Sequence, residues 1–199
     1  MNDLVIPDTA AASAALEVAS AYLSPALLSH SRRVYVWAAA FGRQEGISYD
    51  AELLFLAAMF HDISLVPEFD SHTVSFEDAS GHVARVFTAG AGWSNERRER
   101  LGEVIVRHMW PDVEVADDPE GHLLSRAAAF DIVGKNLDDL SPDVRADVLR
   151  QYPRLGLTDE FLACFQAQAD RKAGSSAARA IRSGLTTRIA ANPLDTASL

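Results

Sequence analysis

One cysteine in 199 residues leaves no partner for an internal disulfide, so a secreted disulfide scaffold is excluded. Cys164 lies in the apolar stretch FLACFQ and reads as a packed core thiol rather than a nucleophile. Long apolar runs are lacking too. The most apolar, Leu53 to Phe60, falls far short of the ~20 residues a membrane span requires. Positive charge is scarce: Lys plus Arg total 18 against 28 Asp plus Glu, a formal net charge of −10. Counterion release then offers little, and no nucleic-acid partner is expected. An anionic small molecule stays within reach only where a cationic group or metal offsets the acidic field. Apolar residues make up 48%, too many to leave in water, which excludes disorder as the main state. The acidic N-terminus, MNDLVIPDTAAAS, has no basic stretch ahead of an apolar core. It is not expected to act as a secretory signal, and the expected location is cytoplasmic.

Sustained alternation of β-branched residues is also missing. Ala and Leu dominate, and the periodicity predicts helix throughout. The expected fold class is therefore all-α, a single-domain helical bundle over residues 1–199 with room for a sizeable core. Asp8 to Leu23 forms a first helix. Ser24-Pro25, a cap followed by an N1 proline, opens a second that runs to about Gln44 and stops at Gly46. Asp50 caps a third, AELLFLAAMF, ending near His61-Asp62. A loop covers Ser64 to Val74, a fourth helix Phe76 to Thr88, and a fifth runs from its Ser94 cap through His108. Pro119 to Gly134, Ser141-Pro142 to Pro153, Thr158 to Ala173, and Ser175 to Ala191 complete the set. The terminal NPLDTASL is expected to fray.

Three features carry chemistry. His61-Asp62 closes a helix whose eight preceding residues are apolar, so both polar groups are delivered to the interior. Burying them unpaired costs several kcal/mol, on the order of 2–7 for a neutral group and more for a charge. A cation offsets that cost, and so does a salt bridge to an arginine. Asp131 lies in RAAAFDIVG, a helix apolar on nearly every side, and needs a partner: a metal, or an arginine such as Arg32, Arg33 or Arg126. His30 lies early in the second helix, in LLSHSRRVYVWAAAF, at the edge between an apolar and a basic face. Two imidazoles and two carboxylates on separate packed helices make a mixed nitrogen and oxygen site with positions left for water. That donor set suits one divalent ion, Zn²⁺, Fe²⁺, Mn²⁺ or Mg²⁺, with a second left open.

The order and flanks resemble the HD-domain superfamily of metal-dependent hydrolases. Within it, the chain is similar to the branch that includes cyanamide hydratase and its bacterial relatives. The resemblance rests on SHSRRVYVWAAAF, DAELLFLAAMFHDISLVPEFD, SFEDASGHVARVF, VIVRHMW, AAAFDIVGKNLDDL and YPRLGLTDEFLACFQAQADRKAG, and covers roughly residues 25 to 175. It implies an HD-type helical bundle with His30, His61, Asp62 and Asp131 as metal ligands. Ser64, the run Asp78-Ala79-Ser80, and Met109-Trp110 depart from the family pattern near the expected pocket, and bear on the substrate rather than the chemistry.

The resemblance also implies that His108 faces the metal pocket, as a substrate-side acid or base or a second-metal ligand. A helix-end histidine favoured by the dipole is the plainer alternative. Asp62 is expected to be catalytic beside His108, one oxygen on metal and the other accepting a proton from water. Arg33, His72 and Lys135 are expected at the substrate, with orientation of Asp131 as the alternative for Arg33. His82 reads as a surface or structural residue with a second-metal role as the alternative, His122 as solvated, and Glu68 and Glu77 as solvated carboxylates or general bases. A divalent ion would activate water for hydrolysis of a small molecule, phosphoesters included. The alternatives are a hydratase acting on cyanamide or a related nitrile, and a non-catalytic HD ligand-binding module. The partner expected is a small-molecule substrate, with no membrane and a homo-oligomer left open.

Overall fold

Capping chemistry sets where the helices begin. In a computed structural model describing residues 6–195, Thr9 Oγ1 accepts from the Ala12 amide to start α1 (Ala10–Tyr22). Ser24 caps α2 (Pro25–Glu45), which ends at Gly46 in the left-handed region, φ 67°. Asp50 caps α3 (Ala51–Phe60), and a 3₁₀ turn, Ile63–Leu65, follows it. Then come α4 (Phe76–Gly90), α5 (Asn95–Arg107) capped by Ser94, and α6 (Pro119–Val133) capped by Asp118. The chain continues through α7 (Pro142–Gln151), α8 (Leu157–Arg171), α9 (Ser176–Arg182) and α10 (Leu185–Ala190). Among the described residues there is no strand, and no helix is long and apolar enough to cross a membrane. The fold is all-α.

An element apolar on every side has only the interior to go to. Every residue of α3 from Leu53 to Phe60 is buried, and α3 touches α1, α2, α4, α5 and α6. Its C-terminal residues therefore emerge at the centre of the bundle. On its flank α2 packs along α6, which sets the His30 side of one helix against the Asp131 side of the other.

Two expectations are corrected. The single helix over Ser175 to Ala191 is two, because Gly184 sits at φ 83° and breaks the hydrogen-bond ladder between α9 and α10. The expected fraying of NPLDTASL does not hold for residues 192–195. Asn192 is 2% exposed, and its side-chain amide donates to the carbonyls of Asp131 and Ile132 at 2.8 and 3.0 Å. Asp195 accepts from Arg154 and, at 2.6 Å, from Thr158. Residues 196–199 and the first five residues of the N-terminal stretch lie outside the described residues.

Candidate metal centre

The centre is built where α2, α3 and α6 meet. His61 follows α3 directly, and its Nδ1–H donates to the Ala58 carbonyl at 2.8 Å. A carbonyl can only accept, so the tautomer is fixed and Nε2 keeps its lone pair. On α2, His30 donates from Nδ1 to Asp131 Oδ2 at 2.7 Å, so its Nε2 is also a lone pair. The two Nε2 atoms face each other at 3.2 Å. Asp62 Oδ2 lies 3.4 Å from the His30 nitrogen and 3.2 Å from the His61 nitrogen. All three residues are at most 2% exposed.

Neither oxygen of Asp62 has a hydrogen-bond partner among the described residues. A buried carboxylate without a donor is rare and costly. With both rings neutral, three electron-pair donors are directed at one point, which is what a cation requires. The charge balance agrees. Burial disfavours a charged His30, yet the Asp131 and Asp62 carboxylates outweigh it and raise its pKa above the usual value. Burial likewise opposes the Asp62 anion, and the His61 and His30 imidazoles overcome it and hold its carboxyl below the ordinary range. The pocket demands positive charge, from a proton on His30 or from a metal. His30, His61 and Asp62 fit a divalent ion.

Asp131, expected as a fourth ligand, does not join this set. It sits behind His30, with both oxygens engaged. Oδ1 accepts from Arg33 Nε at 2.8 Å and from the Trp37 indole at 2.9 Å; Oδ2 accepts from Arg33 at 2.9 Å and from His30. Burial opposes its charge, but the Arg33 guanidinium dominates and holds it ionised well below the usual carboxylate range. A carboxylate on the remote nitrogen orients a ligand imidazole and raises its basicity.

The structure places Arg33 on Asp131, the alternative to a place at the substrate. Arg33 is fully buried, four of its five N–H groups are engaged, by Asp131 and by the Tyr152 and Pro153 carbonyls at 3.0 Å each, and it does not line the cavity. His72 lies exposed in the loop before α4 and does not line the cavity. His82 and Glu68 are exposed. Glu77 is buried, corrected from a solvated carboxylate: burial pushes its pKa up, and it accepts from the Ser176 hydroxyl at 2.6 Å. Cys164 packs against the core, and burial raises its thiol to about 11.

The centre forms the closed end of a cavity of about 800 Å³. His108, at the C-cap of α5, lines it. Its Nδ1–H donates to the Ile105 carbonyl, and its Nε2 lies 3.8 Å from Asp62 Oδ1. Burial, aided by His61, pushes His108 down to about 4, so it is neutral near pH 7 with a free lone pair. Phe161 and Phe165 on α8 add an aromatic wall, the Phe161 ring 6.0 Å from His30. Lys135 is exposed and lines the open side. His122 is half-buried, not solvated: its Nδ1–H donates to the Val113 carbonyl at 2.7 Å, and it lines the cavity. Sequence reasoning missed the part played by Trp37, although His30, Arg33 and Trp37 fall on one helix face at spacings of three and four. It also missed Arg154, which donates to the Asp131 carbonyl at 2.8 Å and has no local signal.

A helical bundle with a buried His-His-Asp centre at the floor of a cavity is the architecture of a metal-dependent helical hydrolase or hydratase. The sequence matches the HD domain family over residues 27–131, and the chain belongs to that family. It is also similar to two cyanamide hydratases of Saccharomyces cerevisiae, DDI2 and DDI3. Each is 29% identical over 169 residues, which cover 82% of this chain and 73% of the relative.

Proposed function

We propose that this protein is a metal-dependent hydratase that adds water across the carbon–nitrogen triple bond of a nitrile, as in the conversion of cyanamide to urea. One observation carries the choice over phosphoester hydrolysis. The polar neighbours of Asp62 are three imidazoles, and the nearby Arg33 is held by Asp131 and two carbonyls and does not line the cavity. A phosphoryl group would meet no cationic side chain beside the centre, whereas a neutral nitrile needs none. The two relatives, both cyanamide hydratases, support the same reading.

A divalent ion held by His30, His61 and Asp62 would lower the pKa of water and polarise the group under attack. Asp131 holds the His30 ring in place. The 3.8 Å gap between Asp62 Oδ1 and His108 Nε2 is too long for a hydrogen bond and leaves both atoms free to contact one water between them. The water oxygen bonds to the nitrile carbon as one carbon–nitrogen π bond breaks. His108 Nε2 accepts the proton leaving the water and then donates it to the nitrile nitrogen. The resulting imidic acid tautomerises to the amide, or to urea from cyanamide, and no oxidant or reductant is consumed. Phe161 and Phe165 keep bulk water from the reacting carbon, and Lys135 meets substrate only at the open side.

Purified protein loaded in turn with Zn²⁺, Fe²⁺, Mn²⁺ and Mg²⁺ tests this. Urea released from cyanamide is the expected outcome. Phosphate release from nucleotides with no turnover of any nitrile would overturn it in favour of a phosphohydrolase. Metal binding with neither product would leave a ligand-binding module.

A further inference from the structure

The cavity is far larger than the reaction requires. Cyanamide has three non-hydrogen atoms, and the cavity of about 800 Å³ falls in the range that encloses a drug-sized ligand. Its floor is the metal centre, at most 2% exposed, and its opposite end is open, with Lys135 and Arg188 exposed there. Between them Val113, Ala129, Ile132, Ala180 and Leu185, together with the α8 phenylalanines, form an apolar wall, with His122, Ser125 and Asn136 also lining the cavity. The charged side chain reaching this wall from α6, Arg126, is already tied to Glu45 and to Asp139, the latter at 2.9 Å. Its guanidinium also lies over the Phe41 ring at 4.1 Å.

A substrate confined to the floor would leave most of this apolar wall facing water, and would draw no affinity from it. We infer that the natural substrate is an organonitrile with a bulky apolar arm, aromatic or branched aliphatic, whose arm lies along the Val113, Ala180 and Leu185 wall while its nitrile carbon sits at the centre. This rests on the nitrile reading of the site. The reaction is unchanged: water adds across the triple bond and the arm stays attached to the carbonyl carbon of the amide product. Ala129 and Ala180 are where small side chains keep the passage wide.

The test compares kcat/KM of the metal-loaded protein for cyanamide, acetonitrile, isobutyronitrile and phenylacetonitrile, in wild type and in Ala129→Phe and Ala180→Phe, two separate fillings of the passage. Thermal melts identify a filling that unfolds the protein, and the other then carries the comparison. The expected result is at least tenfold preference for phenylacetonitrile or isobutyronitrile over both small nitriles. That preference should fall at least tenfold in a folded filled variant. Preference for cyanamide in the wild type would overturn the inference and leave the hydratase reading standing. So would an arm preference that both folded variants retain. No turnover of any nitrile would remove the hydratase reading itself, and the inference with it.

Discussion

His30 Nε2 and His61 Nε2 stand 3.2 Å apart, and each ring donates from its other nitrogen, His30 to Asp131 and His61 to the Ala58 carbonyl, so the neutral rings face each other lone pair to lone pair. Two lone pairs at that distance repel unless something positive lies between them. The adjacent Asp62 carboxylate, without a donor of its own, makes the same demand. The interior is arranged around a charge that the chain does not itself supply.

Asp62→Ala removes the anionic member of that set. Metal content of the purified variant should drop to background, and turnover with it. Added metal should raise the melting temperature of the wild type, since a ligand of the native state stabilises by mass action. It should leave the variant's melting temperature unchanged. Full metal content in Asp62→Ala would remove the proposed centre.

Asp131→Asn keeps the size of the side chain and withdraws its charge from His30 and Arg33. Loss of a carboxylate behind a ligand imidazole lowers metal affinity by about 10–100-fold. Competition with a chromogenic chelator measures this. A much larger loss would mean that Asp131 binds the ion directly.

His108→Gln retains a polar side chain at the cavity wall and loses the imidazole lone pair opposite Asp62. Metal content should stay at the wild-type level while kcat falls by about 10²–10⁴, the usual worth of a positioned acid–base group. Unchanged kcat would remove His108 from the chemistry.

Asp118→Asn isolates a charge from a cap. Asparagine caps a helix about as well as aspartate, so the hydrogen bond to the Gly121 amide survives. The ion pairs to Arg100 and Arg107, the second at 2.7 Å, do not. Burial opposes the Asp118 anion, and these two guanidiniums with the Gly121 amide overcome it, so its folded pKa is lowered. A lowered carboxylate pKa stabilises the fold at pH values above the unfolded value of about 3.9, and that contribution fades as pH falls through the folded value. The variant should be less stable than wild type by about 1–3 kcal/mol at pH 7. In urea titrations the gap should narrow below about pH 4. A gap independent of pH would assign the loss to packing instead.

Much of the scaffold was legible because its signals are local. Ser24-Pro25, Asp50, Ser94 and Ser141-Pro142 each announce a helix within four residues, and each does cap one. The uniformly apolar α3 could only be central, and so His61-Asp62 could only be interior. Long-range pairing is a different matter. Asp131 needed a partner on local grounds, but the local pattern offered Arg32, Arg33 and Arg126 alike, and only the resemblance favoured Arg33, 98 residues away in the chain. The same distance hid the division of labour between ligand and support: a buried aspartate reads alike whether it meets a metal or the back of a histidine. The break at Gly184 was missed because glycine inside a polar helical pattern is tolerated about as often as it interrupts one.

The Asn192 amide that fastens the Asp131 and Ile132 carbonyls comes 61 and 60 residues later in the chain. Translation adds about 5–20 residues each second, so a nascent polypeptide holds His30, His61, Asp62 and Asp131 for several seconds before this brace leaves the ribosome. During that interval the helix carrying Asp131 lacks this brace, so assembly of the centre draws on chain made 61 residues after Asp131.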